Sequence, residues 1–346
     1  MLNIDGSQKS GSGTILRLSI ALAGILQEPL HLYNIRQKRT KPGLRPQHLE
    51  AVLTAAKLCN AETEGAKLNS KELWFHPQQI NGGEIHAEIG TAGSIPMLLL
   101  TILPICAYAR NTVRIRIVKG GTDVRHSPTI NYLKHVLLEV LDQIGLKTSL
   151  NIHKYGYYPK GMGEVFMKVQ PCQKLKPLAL EKSGELENLE GVSVCTFLEE
   201  RKVAERQARA ANRYLEDYGL EAEIRVVNDK SNPLQKGSSL VLWGKTDTGA
   251  LLGGDAIGEL RKPSEAVGRE AAENLFKEIE TGATVDVHLA DMLVPYVALA
   301  DDYSTYLTRN ITEHLETNLW LTEKILGVRF EVRRIKELYQ IKKKGL

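Results

Sequence analysis

Along its 346 residues the chain keeps changing period. Apolar residues recur at helical spacing over 15–27, 47–59, 94–110, 128–144, 200–218, 263–280, 287–300 and 312–326. Between these stretches they alternate at strand spacing, most clearly at 112–118, 164–169, 222–227, 240–243 and 328–332, and more weakly at 30–35, 72–76, 84–89, 148–153, 192–197 and 305–308. A helix buries one stripe and a strand buries every second residue, so elements taken in turn share a core only as helix layered on sheet. The expected class is α/β, or α+β layers. The glycine pairs Gly82-Gly83 and Gly120-Gly121, and the broken pair Gly161 and Gly163, stand near the boundaries of helix–strand units, as a repeated supersecondary unit would place them.

Composition narrows the function classes. The chain is 42% hydrophobic and 25% charged, ordinary for a globular protein, and long enough for two domains. Its net charge of +4 permits nucleic-acid binding only through a local patch. The longest apolar run, 95–109, contains Pro96 and Pro104 and is too short to span a bilayer, so no membrane is expected. The N-terminus runs straight into a motif, with no signal peptide, and a cytoplasmic protein is expected. Cys59, Cys106, Cys172 and Cys195 are widely spaced without metal-ligand pairing and read as reduced core residues.

The densest chemistry lies at 36–49. Arg36, Lys38, Arg39, Lys41 and Arg45 crowd around the turn Pro42-Gly43, and a helix is expected from Pro46. Cations before a helix N-terminus make an anion site, with Gln47 and His48 able to bond phosphate oxygens; on charge alone a solvated basic loop reads equally well. Gly11-Ser12-Gly13 before a helix is either a phosphate cradle or a turn. His314 follows the expected N-cap Thr312 by two residues, a position that by itself suits a structural histidine. Arg17 reads as a second phosphate cation or a surface residue, and Tyr157, Tyr158 and Lys160 as RNA contacts or as packing. The tail 342–346 is expected to fray.

Several stretches resemble the RNA 3′-terminal phosphate cyclase family. Asp5-Gly6-Ser7 with the glycine-rich run and Ile15-Leu16-Arg17 is similar to its N-terminal motif, and Lys41-Pro42-Gly43-Leu44-Arg45-Pro46-Gln47-His48 to its second. His314-Leu315-Glu316-Thr317-Asn318 is similar to the C-terminal motif. Gly120-Gly121-Thr122-Asp123, Tyr157-Tyr158-Pro159-Lys160-Gly161 and Gly163-Glu164-Val165 also match, in the family's order, and small details suit an archaeal member. The resemblance implies repeated helix–sheet units forming a large domain, 1–181 plus 281–346, with a smaller inserted α/β domain at 182–280. It implies ATP-dependent conversion of an RNA 3′-phosphate end to a 2′,3′-cyclic phosphate, through AMP carried on His314. It further implies ATP or phosphate contacts at Gly11, Gly13, Arg17, Arg36, Arg39, Arg45, Gln47, His48 and Asp291. It would also place RNA contacts at Lys41, Tyr158 and Lys160, and a divalent metal, Mg or Mn, near Asp291.

The chain also departs from the family. Ser10 stands where a glutamate is usual, Ser12 interrupts three glycines, Leu100 and Met292 replace glutamines, and Met162 replaces a glycine. A serine cannot replace a charged metal ligand. The sequence therefore fits either an active cyclase with a rebuilt metal site or a catalytically weak paralogue that binds RNA or assembling ribosomes.

Overall fold

The computed structural model describes residues 1–344. Its described strands form four sheets, and three of these repeat one plan. In the first, Leu2–Asp5 runs parallel to Leu30–Tyr33, which pairs antiparallel with Leu73–His76, and that strand with Glu62–Glu64. In the second, Gly83–Glu88 runs parallel to Val113–Gly120, followed by antiparallel Gly163–Val169 and Thr148–Lys154. In the third, Ala179 bridges parallel to Thr305, and Ser304–Thr308 continues antiparallel into Leu338–Lys343 and Phe330–Ile335.

Each unit thus reads strand, helix, strand, helix, hairpin. A parallel pair needs a crossover, which the first helix supplies, whereas the closing hairpin needs only a turn. The helices are Gly13–Leu26 and Pro46–Cys59 in the first unit and Val287–Leu299 and Glu313–Leu326 in the third. In the second they are Ile95–Ala107 and an irregular stretch at 130–143 that widens into a π turn at Leu133–Leu137. Strand chemistry follows the pleat: in Val113–Gly120, Val113, Ile115 and Ile117 are buried while Arg114 and Arg116 face solvent.

The fourth sheet lies between Ala179 and the third unit's first helix. Leu186–Thr196 pairs parallel with Glu223–Asp229 and antiparallel with Gly237–Thr246, which pairs with Leu251–Ile257. Helices Val203–Glu216 and Ser264–Thr281 cover one face over a small core of Leu240, Leu242, Leu252, Ala271 and Leu275. The opposite face sends Val192, Val194, Val241 and Trp243 into the main core. There Trp243 stacks on His135 with ring centroids 4.4 Å apart. Gly253 lies so close to Tyr132 that a Cβ would sit 2.6 Å from the ring.

The helices fall within a few residues of their expected positions, but the C-terminal tail corrects the sequence reading. Leu338–Lys343 is the middle strand of its sheet rather than a frayed end. Lys343 is buried, its ammonium donating to the Ala300 carbonyl, and Lys342 lies 4.7 Å from the Tyr303 ring centroid. Residues 345–346 lie outside the described residues.

Candidate active site

The helices of the three units bring their N-terminal ends to one place. Residues at or just before the first turns of five of them, including Thr14, Met97, Pro128, His288 and His314, line a cavity of about 480 Å³. The sixth, Pro46–Cys59, joins through Gln47, whose Oε1 accepts the Ser94 N–H at 2.7 Å. Ser94 Oγ lies 2.5 Å from Ser127 Oγ. Helix N-termini carry unsatisfied N–H groups and a partial positive charge, so their convergence favours an anion. Side-chain caps at Ser12, Ser94, Asp286 and Thr312 fix where these helices begin.

His314 occupies the first turn of Glu313–Leu326. Its Nδ1 lies 3.1 Å from Thr14 Oγ1, which also accepts from the Arg17 guanidinium at 3.2 Å. The Thr312 hydroxyl accepts the Leu315 N–H at 2.9 Å and donates to Asp291 Oδ1 at 2.5 Å. Asn318 donates to the Asp291 carbonyl at 2.8 Å. The ring is thus seated by two helices at once, leaving Nε2 uncommitted when Nδ1 holds the proton. Burial, then Arg17 and Arg39, lower the His314 pKa from its ordinary value.

The basic loop closes over the Gly11–Gly13 turn. A Cβ on Gly13 would lie 2.5 Å from His48 Nε2 and 3.0 Å from Arg17, and one on Gly11 would strike the Lys38 stem. Glycine at both positions lets the cations approach the backbone. Among the described residues, Arg17, Arg36, Arg39 and Arg45 form no salt bridge with a carboxylate. Burial, then Arg36 and Arg39, hold Arg17 down to about 10. Burial, then Arg17, Arg36 and Arg45, push His48 down to about 2, so its imidazole stays neutral. A group of guanidiniums that repel one another and find no acid is arranged for a polyanion.

Some of these cations also shape the loop. Arg36 donates to the carbonyls of Lys41 and Gly43, at 2.7 and 2.8 Å, and Arg45 to Asn69 at 2.7 Å. Lys41 is exposed on the same loop. Tyr158 and Lys160 are exposed on a different loop and do not line the cavity, whereas Tyr157 is buried, with its ring against Gly237 and its hydroxyl 3.2 Å from Thr196 Oγ1. Tyr157 is therefore a packing residue.

Asp291 lines the cavity, and burial pushes its carboxyl up to about 7. Its Oδ1 is taken by Thr312, and among the described residues no three His, Cys, Asp or Glu side chains are placed to hold one metal ion. Ser10 is buried with its hydroxyl 3.0 Å from Ser12 Oγ. This donor set does not fit a metal ion held by the protein alone. The departures at Leu100 and Met292 both fall on the cavity wall, making it more apolar beside the cations. Thr14, His288 and Ser127 were not anticipated; for Thr14, the signal was its place after Gly13 at the head of a helix.

A family model described as RNA 3′-terminal phosphate cyclase matches residues 8–332. A protein of that name from Methanopyrus kandleri is 41% identical over 337 residues, covering 96% of this chain and 95% of its own. Another from Pyrococcus furiosus is 43% identical over 333 residues, with 96% and 95% covered. A third, from Pyrobaculum aerophilum, is 41% identical over 345 residues, with 100% and 98% covered. Among solved structures, an EPSP synthase from Acinetobacter baumannii is 14% identical with a TM-score of 0.30, over 99% of this chain and 65% of that one, and adds nothing to the assignment.

Proposed function

Because the chain belongs to the RNA 3′-terminal phosphate cyclase family, we propose that it converts an RNA 3′-terminal phosphate to a 2′,3′-cyclic phosphate with ATP, using His314 as the nucleophile. The observation that carries this reading is the His314–Thr14 contact beside arginines without carboxylate partners. Thr14 receives the Nδ1–H and so leaves the Nε2 lone pair to attack the α-phosphorus. The bond to pyrophosphate breaks as the N–P bond forms, and AMP stays on the ring. An oxygen of the RNA 3′-phosphate then displaces His314, and the ring recovers its lone pair. The neighbouring 2′-hydroxyl attacks the activated phosphorus and gives up its proton to solvent, and the P–O bond to AMP breaks as the cyclic ester closes.

Charge accumulates on phosphate oxygens at each step, and the chain meets it with fixed cations and N–H donors. Arg17 and Arg39 lie near enough to depress the His314 pKa, and neutral His48, packed against Gly13, has a buried Nδ1 without a partner among the described residues. No step here relies on a metal, since the donor set does not form a protein-held site. The apolar Leu100 and Met292 in the cavity wall favour a second reading, an RNA- or ribosome-assembly-binding paralogue with little turnover.

The experiment is labelling with α-labelled ATP. Wild type should acquire acid-labile, alkali-stable label and cyclise a 3′-phosphorylated RNA, while His314→Ala should acquire none. Label that persists in His314→Ala would displace His314 as nucleophile. A wild type that neither labels nor cyclises would leave the binding reading standing.

A further inference from the structure

We propose that four loops at one end of the inserted sheet form a platform for the single-stranded RNA preceding the reacting 3′ end. This rests on the RNA-processing function above and adds a second binding surface to it. The loops are 123–127, 156–161, 230–237 and 258–262, and each is tied to another. Asp123 bridges to Tyr157, and Gly258 N–H donates to the Ser238 carbonyl at 2.8 Å. Gln235 donates to the Tyr158 carbonyl at 2.9 Å and accepts the Lys160 N–H at 3.3 Å. The Arg125 guanidinium grips both oxygens of Glu259. Loops held this way lose little freedom when they bind.

What they present is unusual for a protein surface. Three of them each hold out one large apolar side chain: Tyr158 at 79% exposure, Leu234 at 56% and Leu260 at 94%. Lys160, Lys236 and Arg261 stand beside these, with no carboxylate partner among the described residues. Arg125, Lys230 and Lys262 are each neutralised by a carboxylate, on Glu259, Glu199 and Glu270, so the free charge of the platform is that of Lys160, Lys236 and Arg261. Against them the four loops carry only Glu259 and the buried Asp123. Separate apolar tips set among cations suit a strand of unpaired bases, which pack on such groups while their phosphates meet the charges. A protein partner favours a continuous apolar centre depleted of lysine.

The platform is also continuous with the cavity. His126 and Ser127, which end the first of these loops, line it together with the following Pro128. Ser127 meets Ser94, and Ser94 is held by Gln47 at the head of the helix that follows the basic loop. An RNA whose 3′ end reaches His314 therefore has a continuous polar surface leading outward across residues 125–127.

The test compares two 3′-phosphorylated RNAs of shared 3′ sequence, a dinucleotide and a 12-mer, using the full-length protein. The variants are Lys236→Gln/Arg261→Gln and Leu234→Ser/Leu260→Ser, all at exposed positions. Each should weaken 12-mer binding about ten-fold relative to the dinucleotide, the first through two lost phosphate contacts and the second through lost apolar contact with the bases. The charge variant should also reduce the slope of log affinity against log salt by about 1.4 for the 12-mer, at roughly 0.7 per phosphate contact. Equal losses at both lengths, no loss, an unchanged salt slope, or a wild type indifferent to length would each overturn the platform. Label uptake from α-labelled ATP, followed in the same preparations, separates the two ideas. Length dependence without label retains the platform and refutes the His314 chemistry; label without length dependence does the reverse.

Discussion

Arg17 and Thr14, one turn apart on the same helix, set the state of the His314 ring. The nucleophilic form is neutral imidazole, and its pKa is lowered by burial first and by Arg17 next. The acid limb of the labelling rate should therefore lie below pH 6.5. Arg17→Gln removes a positive neighbour, so the ring pKa should rise and the limb move up with it. An NMR titration of the His314 ring that shows no upward shift would refute that coupling. Thr14→Val removes the partner of Nδ1 while keeping the side chain's shape, and the labelling rate should fall about 100-fold as the ring loses its orientation. Thr14→Ser should retain most of the rate, and a valine variant as fast as the serine one would clear Thr14 of any role. His314 and the basic loop were legible because charge density and motif mark them locally. Thr14 was not, because its role arises only where it meets a residue 300 positions away. Tyr157 and Tyr158 look alike in sequence, and what separates them is tertiary: one ring is buried against Gly237 with its hydroxyl on Thr196, and the other is exposed.

At the scale of the element, the start of Glu313–Leu326 matters most. Thr312 caps this helix and donates to Asp291, so Thr312→Ala should lose about 1–2 kcal/mol of stability, measurable by urea unfolding. An unchanged midpoint would mean that the cap adds nothing. Asp291 itself should give a pH signature. Its carboxyl is raised from 3.8 to about 7, chiefly by burial. Between those values the unfolded chain ionises while the folded one keeps its proton, so this contribution to stability declines as pH rises. Asp291→Asn keeps an oxygen for the Thr312 hydroxyl and cannot ionise. It should flatten the decline between about pH 4 and 7, and an equally steep profile in the variant would assign the slope to other groups. Long helices were readable from periodicity because each buries one stripe. The strands Leu2–Asp5, Glu62–Glu64 and Leu338–Lys343 were not, being short or rich in charged residues that only their sheet neighbours make sense of.

Across the whole molecule, the three units repeat in topology with too little shared sequence to be counted beforehand. Glycine pairs hinted at them, because turns between helix and strand reuse glycine even where the cores diverge. We propose residues 182–280 as the inserted domain, and from its polar boundaries alone it looks removable. Its second face argues otherwise: Trp243 and Val241 are part of the main core, and the sheet covers Tyr132 and His135. Excision should bare that apolar surface and give an aggregating or loosely folded product in size-exclusion chromatography. A monodisperse, cooperatively unfolding product would show the interface to be dispensable. The insert's position has a further consequence, in time rather than in space. Leu178 donates its N–H to Ser304 across a separation of 126 residues, and Leu180 pairs with Thr305 beside it. During synthesis the first two units emerge complete, whereas the third unit's opening strand must wait for its partner until the insert and the next helix have been made. The earlier units can fold during translation, but the turn bearing His314 comes from the last, so the active site is assembled only near the end of synthesis.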